Sequence, residues 1–75
     1  MNILEKFIRT QTKTNYEFAK ITGKKTQTID AQIKVDRTKN TSNSITHLIK
    51  YMLFFKVNEF EGIYNGKKIK ITIFY

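Results

Sequence analysis

The sequence predicts a mainly α-helical domain closed by a C-terminal β-hairpin, and three patterns predict it. Apolar residues recur at helical spacing in residues 1–11 and again in 42–55. Between those stretches, a capping signature and one glycine punctuate two shorter helices. From Glu59 onward the period drops from about 3.6 to about 2 around an Asn-Gly pair. A bundle of four to five helices is expected over residues 1–57 and the hairpin over 58–75, together one compact domain.

The first helix is read from Ile3, Leu4, Phe7 and Ile8, which share a face, with Glu5, Lys6 and Arg9 opposite; it ends near Gln11. Thr14 followed by Glu17 is a capping box, in which the Thr hydroxyl takes an orphan backbone N–H and Glu17 reaches back. Helix 2 therefore spans Asn15 to about Thr22 and buries Phe18, Ala19 and Thr22. Gly23 ends it, because a helix often closes with a left-handed residue. Helix 3 is expected over Thr26 to Lys34, with only Ile29 and Ile33 as large apolar residues, and "VDRTKNTSNS" reads as a polar loop. Ser42 or Asn43 caps helix 4, whose Ile45, Leu48, Ile49, Met52 and Leu53 form an i, i+3, i+4, i+7, i+8 stripe. Tyr51, Phe54 and Phe55 add more apolar surface than one helix face needs.

The hairpin turns at Asn65–Gly66, since a type I′ turn requires positive φ at both central residues. That turn sets Ile63 opposite Lys68, Glu61 opposite Lys70 and Phe60 opposite Ile71, with Val57 near Phe74. Glu61 and Lys70 are expected to attract each other across the strands. Ile69, Ile71 and Ile73 share one face, expected to lie on helix 4. The sequence holds no proline and three glycines (Gly23, Gly62, Gly66), so each glycine is expected to mark a turn.

Seventy-five residues suffice for one domain that buries roughly 60–65% of its unfolded surface. The absence of cysteine excludes disulfides, thiolate metal sites and thiol nucleophiles. Fourteen Lys and Arg against six Asp and Glu give +8 and a pI near 9.9. Such a balance attracts polyanions, nucleic acid first and anionic membrane second, although small proteins also carry excess charge for solubility alone. The apolar run 51–55 is too short for a membrane span, which needs about 20 residues. The charged N-terminal segment is unlike a signal peptide, so a cytoplasmic protein is expected. His47 is the single histidine and reads as a solvent-side position on helix 4. Asp30, Asp36, Glu59 and Glu61 form no convincing hydrolytic pair, and Ser42 and Ser44 lack a plausible base. No enzyme, metal site or cofactor is therefore expected.

Helix 3 poses the question of function. A helix with so light an apolar anchor exposes many hydrogen-bonding side chains. "NYEFAKITGKKTQTIDAQI" resembles the helix-turn-helix of phage Cro and repressor-type regulators on Ala19, Gly23 and Ile29. Ala19 is small enough for the helices to cross, Gly23 permits the turn, and Ile29 anchors the second helix. "NSITHLIKYMLFF" resembles the later helix of that family, so the likeness covers about residues 1–57. The family often has an apolar anchor at Gln32, where neighbouring Ile33 substitutes. Thr22, Gly23, Thr28, Ile29 and Gln32 also resemble the N-terminal autorepressor domain found in phage anti-CRISPR proteins.

The resemblance implies a lambda-repressor-like bundle that binds double-stranded DNA, with helix 3 in the major groove. Base readout then falls to Lys25, Thr26, Gln27, Thr28, Asp30 and Ala31. Phosphate contacts fall to Thr14, Asn15, Tyr16, Lys24, Lys34, Arg37, Lys39 and Asn40. Any one of these could instead be an ordinary solvated position. The alternating last strand suggests a homodimer through the hairpin, helix 4 or both, on Tyr51, Phe54, Phe55, Ile69, Ile71, Ile73 and Tyr75, the alternative being a hairpin that closes over the monomer's own core. It would set two recognition helices about 34 Å apart on an inverted repeat. The rival readings are an inhibitor binding a CRISPR nuclease and a nonspecific DNA binder.

Overall fold

The protein is represented by a computed structural model, which describes residues 1–38 and 42–74. Among these residues the helices are α1 (Ile3–Gln11), α2 (Asn15–Thr22), α3 (Thr26–Thr38) and α4 (Ser42–Phe54). Strands β1 (Glu59–Tyr64) and β2 (Lys67–Thr72) follow as one antiparallel hairpin. The mainly helical bundle with its C-terminal hairpin agrees with the sequence reading. No helix among the described residues is long and apolar enough to cross a membrane.

The first helix lies at the centre of the molecule, packed against α2, α3, α4 and β1. Its Ile3, Leu4, Phe7 and Ile8 are completely buried. Glu5, expected on the solvent side, is buried as well, because α3 covers that side of α1. The remaining core comes from Phe18, Ala19, Ile29, Ile33, Leu48, Tyr51 and Met52.

Local signals set the boundaries of α2. The Thr14 hydroxyl oxygen accepts the Glu17 N–H at 3.1 Å, and the hydroxyl donates to the Glu17 carboxylate at 3.2 Å. Glu17 thus reaches back to the hydroxyl of its cap. At the other end Gly23 is left-handed, at φ 72° and ψ 23°. The Gly23 N–H donates to the Lys20 carbonyl and the Lys24 N–H to the Ala19 carbonyl at 2.9 Å, the Schellman pattern. Thr22, expected in the core, is half-buried and turns its hydroxyl back to the Phe18 carbonyl at 2.7 Å.

The third helix continues four residues past Lys34, through the segment read as a loop. Val35–Thr38 contains no glycine or proline to stop it, and Asp36 ties this last turn to α1. The Asp36 carboxylate accepts the Glu5 N–H at 3.1 Å, while the Asn2 side chain donates to the Asp36 carbonyl. Asn2 makes no side-chain cap bond for its own helix, so the side-chain cap of α1 is supplied by α3.

Helix α4 begins at Ser42, so Ser42 and Asn43 are first-turn residues rather than the cap, which falls outside the described residues. The buried side of α4 is rotated from the predicted stripe. Ser44, Leu48, Tyr51 and Met52 face inward and Phe55, just past the helix, packs on the core, while Leu53 is exposed. Aromatic contacts hold this rotation: Phe18 meets Tyr51 edge to face at 4.8 Å and stacks on Phe55 at 5.6 Å between ring centroids.

Asn65 and Gly66 both have positive φ, and the register pairs Ile63 with Lys68, Glu61 with Lys70 and Phe60 with Ile71, as predicted. The ion pairs run diagonally instead of straight across, Lys68 to Glu61 at 2.8 Å and Lys70 to Glu59 at 2.5 Å. Long side chains on a twisted ladder reach the diagonal neighbour readily. Being exposed, these pairs contribute little to stability. The hairpin lies principally on α1 and not on α4. Phe60 meets the edge of Phe7 at 5.1 Å, and Lys6 Nζ donates to the Glu61 carbonyl at 2.9 Å.

Gly62 explains that packing and departs from the expectation that every glycine marks a turn. It sits within β1, buried against α1; an added Cβ would lie 2.8 Å from Ile3 Cγ1 and 3.2 Å from Ile3 Cα. Backbone and branched side chain cannot rotate aside, so helix and strand must separate. Gly62→Ala is expected to cost about 1–3 kcal/mol, read as a lower urea midpoint with an unchanged m-value. An unchanged midpoint would refute the close approach.

Candidate nucleic-acid interface

The site is built on α2, the left-handed Gly23 and α3. Ile29 and Ile33 turn into the core, which forces the residues between them outward. Gln27, Asp30, Ala31 and Lys34, spaced i, i+3, i+4 and i+7, therefore lie on one exposed face. Lys24, Lys25 and Thr28 are exposed beside it, and Thr26 is half-buried. Gln32 is half-buried and its side-chain oxygen accepts the Tyr51 hydroxyl at 2.6 Å, while Ile33 fills the core as the adjacent anchor.

The start of α3 has a distinctive electrostatic character. The Thr28 and Ile29 N–H groups both donate to the Lys25 carbonyl, and the first turn carries no acidic residue. Lys24 and Lys25 add two ammonium groups to the positive end of the helix dipole. Anions are attracted to such an end. The start of α2 differs, since Thr14 and Glu17 already occupy its cap.

Several residues assigned to phosphate are engaged within the protein. Thr14 is the cap of α2. Asn15 accepts from the Arg9 guanidinium and donates to the Asp30 carboxylate at 2.6 Å. A polar chain from α1 to the centre of α3 results, and it fixes how Asp30 is presented. Tyr16 and Lys34 are exposed. Lys13, overlooked in the sequence, is exposed beside Thr14. Lys39 and Asn40 lie outside the described residues, as does Tyr75.

Arg37 was expected near the centre of a loop, but it lies on α3 and grips Glu5 through both Nε and Nη2, with Nε to Oε1 at 2.7 Å. The carboxylate is buried while the guanidinium side chain remains 60% exposed. The hydrogen bond from Arg37, aided by the charges of Arg37 and Arg9, holds the Glu5 carboxyl below its ordinary 4.5 despite burial. A depressed folded-state value means that this pair stabilises the protein above about pH 4.5. The contribution fades as pH falls through the lower folded-state value. Glu5→Gln is expected to flatten the acid limb of a stability-against-pH curve below pH 4.5. An acid limb identical to that of the parent would contradict the pairing.

The residues assigned to a dimer divide into two groups. Tyr51 is buried within the chain, and Phe55 packs on Phe7 and Phe18, so both belong to the chain's own core. Ile69, Ile71 and Ile73 are half-buried against that core. Phe54 remains 54% exposed, and Phe74, which the sequence placed near Val57, is 89% exposed. His47, expected toward solvent, is half-buried between α3 and α4. Among the described residues no group of His, Cys, Asp and Glu has the arrangement of a metal site. In comparison with known proteins, the chain matches no family model, no curated protein and no solved structure.

Proposed function

We propose that the protein is a sequence-specific double-stranded DNA-binding repressor of phage or mobile-element type, with α2, Gly23 and α3 as a helix-turn-helix. The observation that carries this reading is the exposed face of α3. Two isoleucines pin the helix to the core, while Lys25, Gln27, Thr28, Asp30, Ala31 and Lys34 stand outward beside a lysine-flanked N-terminus whose first turn carries no acidic residue. In this docking the N-terminal part of α3 enters the major groove. Gln27 offers a bidentate pair to adenine, Lys25 a donor to guanine, and Asp30 an acceptor for cytosine N4. Lys13, Lys24 and Lys34 neutralise phosphates, which makes affinity salt-dependent, and Tyr16 donates a hydrogen bond to a phosphate oxygen.

A two-fold dimer fits the hairpin. Lys6 bonds the Glu61 carbonyl and Asn2 bridges Ile63, so the outer edge of β1 is covered. Glu61 and Lys70 form a non-hydrogen-bonded pair, and the two residues of such a pair direct their backbone groups to opposite outer edges of the ladder. Those of Lys70, opposite Glu61, consequently point away from β1, and that edge with exposed Phe54 and Phe74 is available to a second copy. Repression would follow from occupancy of an inverted-repeat operator, with autorepression as the simplest circuit.

Fluorescence anisotropy with duplexes from the gene's own upstream region and scrambled controls, across a salt series, tests this reading. Preference of about 10³ or more for one inverted repeat would establish the regulator. Equal, steeply salt-dependent binding to every duplex would overturn it in favour of a nonspecific binder. Failure to bind any duplex would direct the search to a protein partner such as a CRISPR nuclease.

A further inference from the structure

The hairpin turn holds the one asparagine of the chain that is followed by glycine, Asn65 before Gly66. Asn2, Asn15, Asn40, Asn43 and Asn58 precede Ile, Tyr, Thr, Ser and Glu instead. Asparagine is among the thermolabile side chains, and its neighbour decides how readily it reacts. The amide nitrogen of the next residue attacks the side-chain carbon Cγ, ammonia leaves, and a five-membered succinimide closes. Glycine has no Cβ to shield that nitrogen. Water then opens the ring at one of two carbons. Attack at Cγ leaves aspartate with an ordinary backbone. Attack at the main-chain carbonyl carbon leaves isoaspartate, whose backbone runs through Cγ.

The fold both exposes this pair and restrains it. Asn65 and Gly66 are exposed, and a Cβ added at Gly66 would meet nothing within 4 Å, so water and base have free access. Their φ angles are 54° and 76°, those of a type I′ turn, in which ψ of the first central residue is about 30°. That value turns the Gly66 nitrogen away from the Asn65 side chain. Ring closure needs a large rotation about the Asn65 Cα–C bond, and that rotation breaks the pairing of Tyr64 with Lys67.

We propose that Asn65 is a self-modifying site that reacts only when the turn opens, and that its isoaspartate product unlatches the hairpin. Loss of ammonia makes the step one-way. The two products differ in what they do to the fold. Asp-Gly suits a type I′ turn as Asn-Gly does, so aspartate keeps the latch. Isoaspartate adds one methylene to the main chain between Cα of residue 65 and Gly66. A two-residue turn cannot absorb the extra atom, and Lys67 is displaced from Tyr64. This chemistry is independent of how α3 is used.

The test holds the full chain at mildly alkaline pH, folded in buffer and unfolded in guanidinium chloride, and follows tryptic peptides by mass spectrometry. Among the asparagines Asn65 should convert first in both samples, and more slowly in the folded protein by roughly tenfold or more, because the closed turn must open locally. The isoaspartate product, separated by chromatography, should unfold at a lower urea midpoint than the parent. Asn65→Asp should unfold at the parent's midpoint. Equal rates in the folded and unfolded chain would overturn the restraint by the turn. An Asn65 that survives in guanidinium chloride while other asparagines convert would overturn the site. An isoaspartate product as stable as Asn65→Asp would overturn the latch.

Discussion

Replacing Phe7 with alanine is expected to remove most of the protein's stability. Phe7 is completely buried and joins two parts of the fold, meeting Phe55 beyond α4 at 6.1 Å and Phe60 of β1 at 5.1 Å between centroids. Phe→Ala in a core costs about 3–5 kcal/mol through lost transfer energy and the cavity left behind. A chain of 75 residues has a total of only about 4–11 kcal/mol. The variant therefore sits near its unfolding midpoint at room temperature, or has lost its hairpin contact as well. Urea denaturation followed by circular dichroism gives the number directly. A loss below about 1 kcal/mol would mean that Phe7 is not the junction its ring contacts describe.

Gln27→Ala should have the largest effect on DNA recognition and almost none on folding. Its side chain is exposed, with Ile29 and Ile33 holding the helix independently of it. A bidentate glutamine–adenine pair contributes about 1–3 kcal/mol of discrimination, or roughly 5- to 150-fold between the right and wrong base. The variant should keep its melting temperature and its affinity for scrambled duplex, yet lose preference at one base pair. Arg37→Ala should behave differently. Its guanidinium holds Glu5, so its removal affects stability as well as binding to all duplexes. If Gln27→Ala discriminates as the parent does, Gln27 is a solvated surface residue and base readout lies elsewhere on α3.

Signals confined to a few neighbouring residues were legible in the sequence. Thr14 with Glu17, Gly23, and Asn65–Gly66 specify their local geometry from within, and all three appear where expected. The central apolar residues of α1 were equally plain. Partners distant in sequence were not legible. Nothing near Glu5 announces that Arg37, 32 residues away, would draw it into the interior. Val35–Thr38 looks like a loop because it is polar, yet Asp36 makes that polarity structural by bonding α1. The surplus aromatics of α4 suggested a partner surface, but the rotation of the helix places Tyr51 in the chain's own core. Gly62 could not be distinguished from a turn glycine without the neighbouring helix. For the interface, the exposed face of α3 followed from period alone. The occupation of Asn15 by Arg9 and Asp30 required the helices to be assembled.

The cap that Asp36 places on α1 also orders events in time. Helix α1 is synthesised before α3, so it lacks its side-chain N-terminal cap until residue 36 has been made and α3 has docked. Short isolated helices are marginal in water, so α1 should remain frayed at its start during that interval. In the finished protein the Glu5 amide becomes a natural probe of the docking. Its hydrogen exchanges only when the final turn of α3 withdraws, so its exchange rate under native conditions measures how often those two segments part company.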